Sequence, residues 1–109
     1  MIIPDVELKK LVEQGYLPEG LNIGPSSVDL TLADSFSWPT PKQDQIVLGE
    51  AVHHEELKTS RYVLEPNHFV LASTAELIRV PVNMAAYVEG RSSIGRLGLQ
   101  IQNAGFIDA

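Results

Sequence analysis

The sequence predicts an all-β fold with one short helix at its N-terminus. Three observations carry this reading. Short segments of alternating or β-branched residues recur at close spacing along the chain. Proline and glycine cut between them, as in a barrel or a sandwich. Helical periodicity appears only near the start. A chain of 109 residues is enough for one domain, residues 1–109, with its own core.

The elements follow in order. Residues 5–14 put Leu8, Leu11 and Val12 on one helical face, with Asp5 as N-cap and Gly15 as the stop. Pro18, Gly20, Gly24 and Pro25 then make a loop. Residues 27–32 alternate, with Val28, Leu30 and Leu32 on one side and Asp29 and Thr31 on the other, which reads as a half-buried strand. Pro39 and Pro41 among polar neighbours make residues 34–45 a surface loop anchored by Trp38. Residues 46–48 form a short strand candidate, and residues 53–58 are polar and ambiguous. Residues 61–64 and 68–74 read as strands around the turn Glu65-Pro66-Asn67. Residues 77–80, 85–88 and 99–102 complete the strand candidates.

Composition excludes several functions. The net charge is −6, so the chain lacks the basic surface of a general nucleic-acid binder. There is no cysteine, which removes disulfides, thiolate catalysis and thiolate-held metals. No signal peptide is visible at Met1-Ile2-Ile3-Pro4-Asp5, and no apolar stretch approaches the roughly 20 residues of a membrane span. No membrane association is expected, and a cytoplasmic location is. His53-His54 with Glu55-Glu56 has no third ligand at metal-site spacing and reads as a solvated loop, so no protein metal site is assigned. Ser92 and Ser93 lack the surroundings of a serine nucleophile.

The densest local signal is Gly90-Arg91-Ser92-Ser93-Ile94-Gly95-Arg96-Leu97-Gly98. It holds two of the eight Lys and Arg residues of an acidic chain. Glycine lets a backbone approach a ligand closely, serine hydroxyls donate to oxygens, and arginine forks grip phosphate bidentately. Phosphate binding is one reading of such a string; a Gly-rich turn with solvated arginines is the other. The spacing is that of neither a P-loop nor a dinucleotide fingerprint.

Extended to Val88-Glu89 on one side and to Leu99 on the other, and followed by Asn103-Ala104-Gly105-Phe106-Ile107-Asp108, the string resembles the dCTP deaminase family, which shares its fold with trimeric dUTPases. Pro25-Ser26-Ser27-Val28-Asp29-Leu30 and the segment from Leu64-Glu65-Pro66 to Thr74 are similar to the family's earlier strands. The resemblance implies a dUTPase-like (β-clip) distorted barrel and a homotrimer with sites between subunits. It also implies hydrolytic deamination of dCTP to dUTP, with or without cleavage of dUTP to dUMP and pyrophosphate. Magnesium would arrive on the triphosphate; zinc plays no part. Arg91, Ser92, Ser93, Ile94, Gly95 and Arg96 would hold the phosphates, Gly95 allowing the turn. Gln102, Gly105 and Asp108 would meet the nucleoside. Ser92 and Arg96 would also position the attacking water, and Asp108 would stand at the sugar hydroxyl or, as in dUTPases, orient a water. Asp29 matches a position near the magnesium–phosphate region of dUTPases, or is a strand-end aspartate bonded to backbone. Arg79, outside the loop, is expected to be indifferent to nucleotide.

The spacing from Arg96 to Asp108 and the presence of Gln102 resemble the bifunctional branch, while deaminase, dUTPase and bifunctional enzyme all stay open. In the family a strand past this aspartate carries the glutamate that acts as general acid and base. Residues 1–109 are expected to be the N-terminal portion, incomplete at the C-terminus and with unpaired sheet edges. A catalytically incomplete nucleotide-binding or regulatory module of the same fold is the alternative. The 109-residue chain by itself is expected not to deaminate dCTP at an enzymatic rate, since loss of a general acid/base costs on the order of a hundred- to ten-thousand-fold. An ammonia-release assay on the isolated chain checks this, and robust turnover contradicts it.

Overall fold

The computed structural model describes residues 1–102 and 105–109. In chain order the elements are α1 (Asp5–Glu13), β1 (Leu32–Pro39), β2 (His54–Lys58), β3 (Leu71–Thr74), β4 (Ala86–Tyr87), α2 (Ser92–Gly95) and β5 (Phe106–Ile107). Strand residues outnumber helical ones, as the all-β reading expects. They form two compact units: Met1–Val28 with Leu77–Ala109, and Asp29–Glu76.

The first unit is built on α1. Its apolar spacing buries Leu8 and Leu11 against Leu17, with Ile3, Tyr16, Ile78 and Met84 packed around them. Asp5 is the first helical residue, not the cap. The cap position is Pro4, at φ −81 and ψ 171, with no side-chain cap hydrogen bond. Proline's fixed φ suits a helix start, and Asp5 instead accepts from Lys9 Nζ at 2.8 Å. That bond holds the Asp5 carboxyl below its ordinary value.

The helix stop is the expected one. Gly15 has φ +77, its amide donates to Val12, and the Tyr16 amide donates to Leu11 at 2.9 Å; together these make a Schellman ending. Arg79 is part of this ending. Its guanidinium donates to the Gly15 carbonyl at 3.0 Å and lies 5.6 Å from the centre of the Tyr16 ring. Arg79 is therefore a packing residue, and its loss registers in stability. Lys42, exposed on a loop, is the cleaner neutral control for a binding test.

The second unit is an open three-stranded antiparallel sheet in the order β2-β1-β3. Here the expected pattern fails in instructive ways. Residues 34–45, read as a loop, supply most of the central strand. Residues 27–32, read as a strand, make only the single bridge Ile23↔Val28 before β1 begins. The polar segment within 53–58 is β2, pairing Leu57 with Phe36 and Glu55 with Trp38. Residues 46–48, 61–64, 77–80 and 99–102 are not strands. Trp38 is a strand residue rather than a loop anchor. Phe36 is buried, stacks on Tyr62 at 4.9 Å between centroids, and Trp38 tilts against the same ring at 6.1 Å. The other sheet pairs β4 with β5. Each sheet is open, and among the described residues neither closes into a barrel.

Glu76 clasps the ends of the second unit together. Both carboxylate oxygens accept the Thr31 amide, at 3.2 and 2.9 Å, and one also accepts the Thr31 hydroxyl at 2.7 Å. These bonds hold the Glu76 carboxyl below its ordinary value, the backbone amide contributing most. A depressed carboxyl contributes stability above its unfolded value, about 4.3, and loses it as the pH falls through the folded value. We therefore expect the Glu76 carboxyl, followed by NMR, to titrate below an unperturbed glutamate, and the Thr31 amide resonance to move with it. A Thr31 amide that ignores the titration contradicts the clasp.

Candidate functional site

The glycine-, serine- and arginine-rich segment leaves β4 and returns to β5. Ala86 pairs with Ile107 and Tyr87 with Phe106, and the two rings of the second pair meet edge-on at 5.1 Å. The ladder extends one step, with the Val88 amide donating to the Gly105 carbonyl at 2.9 Å. A β-carbon on Gly105 would lie 2.9 Å from the Val88 carbonyl oxygen and 3.3 Å from its Cβ. Close backbone approach thus accounts for Gly105, apart from any ligand.

Beyond Val88 the chain turns at Arg91, which is extended at φ −68 and ψ 135. One helical turn follows. The Arg91 carbonyl accepts the amides of Ile94 at 3.0 Å and Gly95 at 2.9 Å, and the Ser92 carbonyl accepts that of Arg96 at 3.0 Å. Leu97 and Gly98 continue the winding, and Gly98 ends it at φ +88. The left-handed backbone falls on Gly98, not on Gly95. Gly95 lies within α2, outside the left-handed region, and among the described residues a β-carbon there would meet nothing within 4 Å.

A shallow depression of about 280 Å³ opens beside this turn, lined by residues 89–92, Ile94, Gly95 and residues 99–101. Of the residues singled out from sequence, the structure brings Arg91, Ser92, Ile94 and Gly95 together around it. Ser93 shares the turn without lining the depression, and Arg96 sits exposed at its C-cap. Gln102 and Asp108 are exposed and outside the lining, Asp108 directly after β5. Asn103 and Ala104 lie outside the described residues. Sequence reasoning counted Gly90 in the loop but left out Glu89 and residues 99–101. The signal of the latter was Leu99 and Ile101 in alternation, which read as a strand. Asp29 is half-buried and engaged in an interaction.

His54, Glu55 and Glu56 lie exposed on β2. Among the described residues no group of three His, Cys, Asp or Glu is placed to hold a metal ion. Among the same residues no helix is long and apolar enough to cross a membrane.

Comparison with known proteins returns one family. The family model described as dCTP deaminase-like matches residues 2–109. Several relatives carry the name dCTP deaminase, dUMP-forming. That of Persephonella marina is 38% identical over 118 residues, covering 100% of this chain and 66% of the relative. That of Methanospirillum hungatei is 39% identical over 123 residues, covering 100% and 64%. That of Hydrogenobaculum is 42% identical over 109 residues, covering 99% and 60%. The chain thus spans 60% to 66% of the length of these relatives.

Gly95 gives a test of the depression that separates folding from binding. Alanine is favoured over glycine within a helical turn by up to about 1 kcal/mol, and here it meets no neighbour. Gly95→Ala is expected to leave the thermal midpoint unchanged or raised. If the depression takes a nucleoside triphosphate, the added methyl should weaken that binding by roughly ten-fold, the cost of a small steric overlap. Thermal unfolding and nucleotide titration, measured on the same variant, check both halves; unchanged affinity counts against a ligand at Gly95.

Proposed function

The chain belongs to the dCTP deaminase-like family, and from that premise we propose that it serves pyrimidine deoxynucleotide metabolism, converting dCTP to dUMP. In the overall reaction one water adds at C4 of cytosine and ammonia leaves; a second water attacks the α-phosphorus and pyrophosphate leaves. The relatives' shared name, dCTP deaminase, dUMP-forming, supports the bifunctional reading over a plain deaminase or a plain dUTPase. The carrying observation is the depression at residues 89–101, where Arg91, Ser92 and Gly95 come together on one backbone turn.

On this reading each residue has a chemical task. Arg91 and Arg96 grip phosphate oxygens with charge-assisted forks. Ser92 and Ser93 donate hydroxyl hydrogen bonds to the same oxygens, and Ile94 and Gly95 form the wall they rest on. Ser92 and Arg96 also orient the incoming water. Gln102, Gly105 and Asp108 face the nucleoside, Asp108 at the sugar hydroxyl or at the water that attacks phosphorus. Magnesium enters as part of the substrate, carried on the triphosphate, where it offsets charge. The reading gives residues 1–109 the phosphate and sugar contacts and leaves proton transfer at C4 to a group outside them. It includes a dUTPase-like β-clip fold, a cytoplasmic location and a homotrimer.

The decisive variant is Arg96→Ala. It removes a charge-assisted fork, and hydrogen bonds to charged groups contribute roughly 1.5–3 kcal/mol each. Affinity for dCTP or dUTP with magnesium is expected to fall about ten- to a hundred-fold. Arg96→Lys should recover little, because a point charge does not reproduce the fork. Lys42→Ala is the control. Calorimetric titration of the full-length protein measures all three; equal, small losses from Arg96→Ala and Lys42→Ala show that the loop is only a turn.

A further inference from the structure

We propose that Ile101 is a positioning residue for the nucleotide loop and acts through Gly90. The proposal rests on the reading of residues 90–98 as that loop. A β-carbon built on Gly90 would lie 2.9 Å from Ile101 Cγ1 and 3.3 Å from Ile101 Cβ, inside the ordinary carbon–carbon contact distance of about 3.5–4.0 Å. Gly90 is not among the residues of positive φ, so its backbone conformation does not demand glycine. Space demands it, and Ile101 occupies that space.

The contact sits where it has leverage. Gly90 directly precedes Arg91, whose carbonyl accepts two amides of the helical turn, from Ile94 and Gly95. A shift of Gly90 therefore carries the start of the turn with it, including the Arg91 and Ser92 backbone. Ile101 comes from the returning limb, three positions after the left-handed Gly98, and lines the same depression. It is 46% exposed, so burial in a core does not explain an aliphatic side chain there. Its branch lies on the Gly90 backbone like a stop and fixes how closely the two limbs approach.

The test is a two-residue complementation in the full-length protein, read by calorimetric titration with magnesium and dCTP, with thermal unfolding in parallel. Gly90→Ala is expected to weaken binding by roughly ten-fold, the cost of an overlap that shifts the backbone leading into Arg91. Adding Ile101→Ala removes the colliding Cγ1 and is expected to restore affinity to within about three-fold of wild type, a coupling that independent sites would not show. Wild-type affinity in Gly90→Ala overturns the proposal, and so does a double variant no better than Gly90→Ala. Should Gly90→Ala fail to fold, Ile101→Ala alone serves. It removes the Cγ1 that lies against Gly90 from a side chain that is 46% exposed; it is expected to melt close to wild type and bind more weakly, and unchanged affinity overturns the proposal. Should the wild-type protein bind neither dCTP nor dUTP, the nucleotide reading fails on its own, and the amide resonances of residues 91–95 decide the positioning. Displacement by Gly90→Ala and return in the double variant support it, and displacement without return overturns it.

Discussion

The candidate site depends on the approach of two backbone limbs at Val88 and Gly105. The hydrogen bond between them, 2.9 Å from amide to carbonyl, closes a long loop whose ends would otherwise separate. One such bond contributes only about 0.5–1.5 kcal/mol net. The strands that frame it, β4 and β5, have two residues each, and a lone two-stranded ribbon is marginal in water. What makes the closure specific is steric. Gly105 alone allows the limbs to come this close, and the edge-on Tyr87–Phe106 pair adds about 0.5–1.5 kcal/mol one step further along. The helical turn at 92–95, the left-handed Gly98 and the depression beside them all hang from this closure.

Sequence legibility follows the balance of burial and pairing. Helix α1 was legible because Leu8 and Leu11 are buried on a 3.6-residue period, and Gly15 ends it by conformation. The central strand β1 was not. Its alternation of Leu32, Asp34, Phe36 and Trp38 is broken by an aspartate and closed by Pro39, and those two residues imitate a loop. Pro39 is tolerated because β3 pairs with β1 only as far as Ser37, which leaves Pro39 paired on one side alone. Strand β2 carries no apolar alternation: all five residues are exposed, and only its partner strand dictates its conformation. Of the residues lining the depression, Arg91, Ser92 and Gly95 stood out in the sequence because their types cluster there in a pattern suited to phosphate. The lining was illegible where only contact matters, as at Ile101, whose neighbour Gly90 is eleven positions away along the chain and adjacent in space.

On the proposed function, the substrate's triphosphate would meet an opposing long-range field. With a net charge of −6, diffusion would not be steered toward the loop, and recognition would fall to short-range contacts. Arginine suits that task better than lysine. Its charge is delocalised and weakly hydrated, and its donors form a fixed fork. Arg91 and Arg96 flank one helical turn, with Glu89 beside Arg91 on the lining of the depression, and the influence of such exposed charges fades beyond a Debye length of about 8–10 Å. Such a site can distinguish a compact polyphosphate from a nucleic-acid backbone, which needs charge spread along a surface.

The three glycines of the loop divide the requirements among them. Gly98 is conformational, at φ +88, where a side chain would be strained. Gly90 is spatial, because Ile101 fills the volume a β-carbon needs. Gly95 is neither: its backbone is helical, its surroundings are open, and alanine there would favour the turn. Among the described residues nothing selects glycine at that position, and alanine there is the better helix former. Local rules broken without an internal gain are expected at functional positions, which fits the place the proposed function gives Gly95. Gly95 lines the depression together with Arg91 and Ser92, which puts the unexplained glycine and the phosphate-type donors on the same wall.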